Sequence, residues 1–375
     1  MGKWIRRLSW ALAAVVILGG SGLALALRYQ SRCVAPPEAA TGTAAFAAIV
    51  QPCYGGPEVL RLARLPLAPL APGRVRVRVV AAAVNPLDWH FVRGEPRVMR
   101  LGSGIGAPSE SRLGADFAGV VESVAPGVTG FAPGDRVFGT RTGSYAEYLD
   151  VRADGAIAAM PASLGFAEAA AVPVAAITAL QALRDVGRLQ PGQRVLVNGA
   201  SGGVGSFAVQ IAKRLGAEVT AVCSTRNVEW VRALGADHVI DYTREDFTRG
   251  AGRWDLVVDN VGNHELGALL RVLPPTGRYV MVGGPSEERW LGPINRVLAM
   301  QLRQPFVAPR LEFFVADVRQ GDLRTLADWL ADGSLRVVID RRYPLAEVPE
   351  AIAYVERGRA RGKVVIEVAA PGAAK

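Results

Sequence analysis

Arg194-Val195-Leu196-Val197-Asn198-Gly199-Ala200-Ser201-Gly202-Gly203-Val204-Gly205-Ser206 reads as a strand, a glycine-rich turn and the start of a helix. Val195 to Val197 form the short β-branched apolar run of a strand buried on both faces, as a helix-covered parallel sheet requires. Gly199, Gly202, Gly203 and Gly205 then remove Cβ atoms where the backbone turns tightly and where a pyrophosphate must approach the main chain. Val204, Phe207, Ala208, Ile211, Ala212 and Leu215 follow at helical spacing, so the free N–H groups of the helix start point at the phosphates. A dinucleotide is the natural occupant, held along Gly199, Ala200, Ser201, Gly202, Gly203, Val204 and Gly205.

The pattern Gly-x-x-Gly-Gly-x-Gly is one residue longer than the commonest fingerprint, and glycine-rich turns also serve purely structural ends. Its place between a strand and a helix is what selects the binding reading. The next strand, Glu218 to Cys223, ends in Ser224-Thr225-Arg226. NAD-selective sites place a carboxylate about 20 residues beyond the first glycine, whereas an arginine there accommodates a 2′-phosphate. Glu218 lies at the wrong end of the strand. Ser224, Thr225 and Arg226 offer two hydroxyls and a planar cation, so the expected cofactor is NADPH rather than NADH; the competing reading is a solvated arginine on a surface loop.

The 375 residues are enough for two domains with full cores plus an appendage. Of the net charge of +9, +4 comes from the first 43 residues, where Lys3, Arg6, Arg7, Arg28 and Arg32 stand against Glu38 alone. The body carries no basic run with interleaved aromatics, which argues against a nucleic-acid partner. Cys33, Cys53 and Cys223 have no metal-ligand spacing and are too few for a disulfide framework, which leaves the redox compartment open.

Residues 8–27 form an uncharged apolar stretch after Lys3, Arg6 and Arg7, about the 20 residues that cross a hydrocarbon core. The expectation is a single-span membrane helix, with a signal peptide as the alternative, followed by a linker to residue 43. Residues 44–165 read as a β-rich domain. In it, Arg74-Val75-Arg76-Val77-Arg78-Val79 alternates as a half-buried antiparallel strand with a solvated basic face. Residues 166–310 alternate strand and helix, the mark of a doubly wound parallel sheet, with Ser163 a candidate N-cap for the first helix and a second helix over Ile177 to Val186. Residues 311–375 hold two more helices and two strands, Val337 to Ile339 and Lys363 to Val368, and are assigned as the second part of the β-rich domain.

Ala82-Ala83-Val84-Asn85-Pro86-Leu87-Asp88, Leu113-Gly114-Ala115-Asp116-Phe117-Ala118-Gly119, Gly134-Asp135-Arg136-Val137-Phe138-Gly139, the glycine turn, and Arg361-Gly362-Lys363-Val364-Val365 resemble, in order, the medium-chain dehydrogenase/reductase superfamily. The nearest branch is the zinc-independent quinone oxidoreductases, and the resemblance runs from about Ala44 to Val368. It implies an α/β architecture in which a GroES-like catalytic domain, built from both chain ends, carries an inserted Rossmann domain with the active site in the cleft. No zinc is expected: Gly114-Ala115-Asp116 replaces the Gly-His-Glu of the zinc branch, no cysteine lies between Cys53 and Cys223, and His90, His238 and His264 are the only histidines.

By the same resemblance Asn85 lies beside the nicotinamide, Tyr242 near the adenosine phosphate, Asn260 on the loop ending the fourth strand, and Lys363 at the cofactor end of the cleft. His90 stands where several quinone reductases have Tyr, as a candidate proton donor or a structural histidine. Without a metal, chemistry rests on hydride position and hydrogen-bond donors. The expected activity is NADPH-dependent reduction of quinones or α,β-unsaturated carbonyls. The alternatives are an enoyl-thioester reductase, which calls for a basic entrance for a carrier phosphate, and a non-catalytic NADPH-binding membrane adaptor. Because NADPH is cytoplasmic, the anchored body is expected to face the cytoplasm and to take a lipophilic substrate from the bilayer; a homodimer is compatible with this reading.

Overall fold

The computed structural model describes residues 22–34, 39–40, 42–284 and 288–368. Its centre is a six-stranded parallel sheet built from β8 (Arg194–Asn198), β9 (Glu218–Cys223), β10 (His238–Asp241), β11 (Leu256–Asp259), β12 (Arg278–Met281) and β13 (Arg310–Phe313). The order across the sheet is β10-β9-β8-β11-β12-β13, so the chain reverses its winding beside β8, where ligands of open α/β sheets bind. Val195, Val197 and Val258 face one core with Phe207 and Ile211. Leu196, Val222 and Val257 face another with Leu269 and Met300. Burial on both sides is why these strands are continuous apolar runs rather than alternating ones.

The second sheet gathers β3 (Arg74–Val84), β4 (Asp116–Val124), β5 (Arg136–Thr140), β6 (Tyr148–Arg152), β7 (Ile157–Ala159), β14 (Ile339–Pro344) and β15 (Lys363–Glu367). Its order is β14-β15-β3-β4-β5-β7, with β6 also on β3. The antiparallel pairing of β15 with β3 sets Val364 opposite Val84 and Val365 opposite Ala83. The C-terminal strands thus return to the first domain, where Lys363 of β15 meets Asn85, 278 residues earlier in sequence.

Several local expectations are corrected. The basic face of β3 is not solvated: Arg76 is buried, and its fork grips both carboxylate oxygens of Asp150 on β6 at 2.8 and 2.9 Å. The helix after Pro161 starts at Phe166 behind Gly165 rather than behind Ser163. The following helix, Pro173–Gln181, widens into a π-helical turn over Ala182–Val186. The strand placed at Val337 to Ile339 begins instead at Ile339.

The membrane-anchored, single-pass reading with a cytoplasmic body is also corrected. Among the described residues no helix is long and apolar enough to cross a membrane. The first 21 residues of the chain, and with them most of the expected span, lie outside the described residues. Its last part is helical over residues 22–28 and docks on the body: Leu27 is buried, and its carbonyl accepts a hydrogen bond from Arg100 Nη1 at 3.1 Å.

Cysteine counting missed a covalent tie. Cys33 and Cys53 are joined in a disulfide that closes a loop of 20 residues and pins this N-terminal arm beside β1 (Ala45–Val50). Loop closure of that length removes about 3 kcal/mol of chain entropy from the unfolded state. Cys33→Ser is therefore expected to lower the unfolding free energy by about 2–3 kcal/mol in urea titrations under non-reducing conditions; identical curves for the variant and the unmodified chain would contradict the cross-link.

Candidate active site

Asn85 is the N-cap of the helix Pro86–Arg93. Its backbone N–H donates to Asp88 Oδ2 at 2.7 Å, which satisfies the helix start and leaves the Asn85 side chain for other work. The Asn85 amide donates through Nδ2 to Asp116 Oδ2 at 2.9 Å and accepts through Oδ1 from Lys363 Nζ at 2.5 Å. Lys363 Nζ also lies 3.3 Å from Asp116 Oδ2, and the second Asp116 oxygen accepts from the backbone N–H of Val174 at 2.9 Å. Lys363 is 3% exposed and Asp116 fully buried. Burial pushes the Asp116 carboxyl upward, and the Lys363 ammonium, the Asn85 amide and the Val174 N–H oppose it.

Beside this cluster lies a cavity of about 440 Å³, lined by Asn85 and Asp88 and walled by apolar groups of Tyr54, Leu87, Phe91 and Leu113. Gln51, Glu110, Arg112 and Thr142 also line it, and its size and mixed apolar and polar walls fit a small-molecule site. Asp88 is buried at the cavity wall, and the hydroxyl of the fully buried Tyr145 donates to its Oδ2 at 2.7 Å. Desolvation raises the Asp88 carboxyl from 3.8 to about 6, against the hydrogen bonds from Asn85 and Tyr145.

The glycine turn reaches the same cluster through the C-terminal strand. Gly362 N–H donates to Ser201 O at 3.0 Å, and Gly362 bridges Gly202. A Cβ on Gly203 would come within 3.0 Å of Lys363 Cδ, and one on Gly205 within 2.2 Å of Gly199 O. Gly199 itself has φ +74°, open to glycine at little cost. The helix Gly203–Arg214 starts behind Gly202 with no side-chain cap, so Val204 and its neighbours present free N–H groups at the turn. Asn260 donates through Nδ2 to Asn198 O at 2.8 Å, while its buried Oδ1 has no partner among the described residues. That unpaired acceptor, together with the bare turn, fits a dinucleotide laid across Ala200, Ser201 and Asn260.

At the end of β9, Thr225 Oγ1 donates to Asp241 Oδ2 at 2.6 Å, and Ser224 caps the short turn that carries Arg226. Arg226 Nη2 donates to Arg359 O at 2.8 Å, and Arg361 Nη2 donates to Arg226 O at 3.1 Å. Tyr242 follows β10 and is 59% exposed. The structure thus brings Arg226 against the C-terminal segment at Arg359 and Arg361, and brings Lys363 of the same segment against Asn85 and the glycine turn. His90 is not among the residues lining the cavity: its ring stacks on Trp89 at 3.5 Å and its Nδ1 lies 2.7 Å from Glu95 O. Burial lowers its pKa.

Asp88, Asp116 and Tyr145 were not singled out from sequence. The available signal was Asp88 three residues after an Asn-Pro helix start, a spacing that returns a carboxylate to the N-cap.

Residues 71–182 match the alcohol dehydrogenase GroES-like domain family, and residues 234–366 match the family described as zinc-binding dehydrogenase. The chain is 36% identical to the mouse mitochondrial NAD(P)H oxidoreductase RTN4IP1, over 89% of this chain and 93% of that one. It is 34% identical to the 2-methylene-furan-3-one reductase of Solanum lycopersicum, over 84% of this chain and 76% of that one. The quinone oxidoreductase of Coxiella burnetii superposes with a TM-score of 0.76 at 30% identity, covering 87% of this chain and all of that one. The chain belongs to the medium-chain dehydrogenase/reductase superfamily, in its quinone oxidoreductase-like branch, and is an oxidoreductase with a nicotinamide cofactor.

The raised Asp88 pKa has a definite sign. Folding favours the protonated form, so the contribution is present below the unfolded value of 3.8 and is lost as pH rises through about 6. Relative to Asp88→Asn, the unmodified chain should lose about 3 kcal/mol of unfolding free energy between pH 3.5 and 7, read by urea titration at each pH; parallel pH profiles would contradict an Asp88 carboxyl raised by burial.

Proposed function

We propose that this enzyme uses NADPH in preference to NADH and reduces quinones or α,β-unsaturated carbonyls without a catalytic metal. The observation that carries the reading is Asn85, fixed by Asp116 and Lys363 and lining a cavity whose walls include Tyr54, Leu87, Phe91 and Leu113. When bound, the nicotinamide supplies the hydride. Asn85 and Lys363 would hold its end of the cleft, and the Tyr54, Leu87 and Phe91 walls would exclude water and favour a flat conjugated acceptor.

The donor set supports a metal-free site. Cys33 and Cys53 are bonded to each other, and the Cys223 thiol is buried and pushed up to about 11. His238 lies 3.1 Å from Glu218, and His264 3.7 Å from Asp246. Asp116, at the place of the zinc-branch glutamate, is already engaged by Lys363, Asn85 and Val174.

The NADPH preference draws on a second cation beside Arg226. Arg361 reaches the Arg226 backbone from the C-terminal segment, so the end of β9 faces guanidinium groups from both domains, and a 2′-phosphate can be gripped by planar forks. A charge-assisted contact of this kind contributes roughly 1.5–3 kcal/mol. Arg226→Ala is therefore expected to weaken NADPH about 10- to 100-fold in fluorescence titrations and to leave NADH nearly unchanged; equal losses for both cofactors would remove Arg226 from phosphate recognition.

A further inference from the structure

Asp88 is a titratable group at the cavity wall that the reading above leaves without a task. It stands at the third position of the helix Pro86–Arg93, one turn from Asn85, and lines the same cavity. Its two carboxylate oxygens differ in their surroundings. Oδ2 accepts both the Asn85 backbone N–H and the Tyr145 hydroxyl, each at 2.7 Å. Oδ1 accepts from no donor among the described residues, and it is not sealed from solvent as the unpartnered Ser144 Oγ is. Asp88 is 4% exposed and lines the cavity, so that remaining opening is onto the cavity.

That asymmetry decides where a proton sits. Two donors already occupy Oδ2, and a hydrogen placed there would displace one of them, whereas Oδ1 has none to displace. The neutral carboxyl therefore carries its O–H on Oδ1, facing the cavity. Tyr145 is no rival source of the proton, because burial and the adjacent Asp88 raise the pKa of its phenol well above the ordinary value. The surrounding charges keep the neutral form accessible near neutral pH. Burial raises the Asp88 carboxyl to about 6 against the hydrogen bonds from Asn85 and Tyr145, with Asp116 on β4 adding to the rise and Lys363 on β15 opposing it. On the helix Val348–Glu356, which packs against the Asp88 helix, Glu356 is taken up by Arg93 at 2.9 Å. Glu58, on the neighbouring turn Pro57–Val59, accepts from Gly56 N–H at 3.1 Å. Glu110 and Arg112, also in the cavity wall, lie 3.7 Å from each other, and His90 is bound to Glu95 O.

We propose that Asp88 is the general acid of this active site and delivers the proton on its Oδ1 to the substrate, with Tyr145 as the residue that positions it. The assignment rests on the reading above in that an enone occupies the Asn85 cavity. The β-carbon of the enone accepts the nicotinamide hydride, a C–H bond forms there, and the C=C electron pair shifts toward the carbonyl oxygen to leave an enolate. The α-carbon of the enolate then takes the proton from Asp88 Oδ1. Hydride and proton together give the saturated carbonyl, and water returns a proton to the Asp88 carboxylate before the next cycle. An acid poised near the working pH beside the reacting centre is the most effective kind.

Infrared difference spectra of the full chain without cofactor, unmodified minus Asp88→Asn, follow the carboxyl C=O band of Asp88 with pH and need no turnover. A midpoint of about 6 is expected. With saturating NADPH, kcat for an enone should be level below that midpoint and fall about tenfold per pH unit above it, and in Asp88→Asn it should drop about 100-fold with the inflection gone. The Kd for NADPH should stay the same. Tyr145→Phe removes a hydrogen bond that favours the carboxylate, so it should move the infrared and kinetic midpoints upward by the same amount; this paired shift decides the matter if Asp88→Asn does not fold. An infrared midpoint at the ordinary 3.8 would overturn the assignment. So would a kinetic inflection that persists in Asp88→Asn or stays in place while the infrared midpoint moves. Failure of every enone to turn over at any pH would overturn the proposed reduction itself, a result distinct from turnover that ignores Asp88.

Discussion

The ammonium of Lys363, buried against Asp116 and Asn85, is the interaction on which the rest of the structure depends. Taking an ammonium and a carboxylate out of water is costly, and the pair is tolerable only where the remaining lone pairs are satisfied. Here they are: Asp116 accepts from Asn85 and Val174 as well as meeting Lys363. Four segments meet at one point, namely the C-terminal strand, the first residue of β4, the N-cap of the Asn85 helix and the start of the helix Pro173–Gln181. Losing Lys363 or Asp116 alone would leave the other charge uncompensated in the interior.

That constraint also couples the two sheets. Lys363 cannot reach Asn85 unless β15 lies beside β3, and with β15 so placed Gly362 meets the glycine turn of the parallel sheet. The absence of a side chain at Gly203 leaves room for the lysine stem, 3.0 Å from where a Cβ would stand. The glycine turn and the Asn85 wall of the cavity are therefore both in contact with one buried lysine. The N-terminal arm is attached differently, through a disulfide and through Arg100 donating to its carbonyls.

What was legible in the sequence follows from local physics. β8 and β9 could be read because strands buried on both faces must be short and β-branched, and the turn because only glycines fit it. The arginines of β3 were misread because alternation reports that one face is polar, not what covers it; Asp150, the partner of Arg76, lies on another strand 74 residues away. Asp116 stayed hidden for the same reason, since a carboxylate opening a strand looks the same whether it meets water or a lysine 247 residues on. Cys33 and Cys53 were obscured by an odd cysteine count.

A double-mutant cycle between Asp116→Asn and Lys363→Met measures this coupling most directly, with NADPH dissociation constants and unfolding free energies determined for all four proteins. Each single change leaves the opposite partner uncompensated in the interior, whereas the pair removes both charges together. The double variant should therefore lose no more stability or cofactor affinity than the worse of the two singles. Losses that simply add would contradict the account, because they would mean that Lys363 and Asp116 act independently.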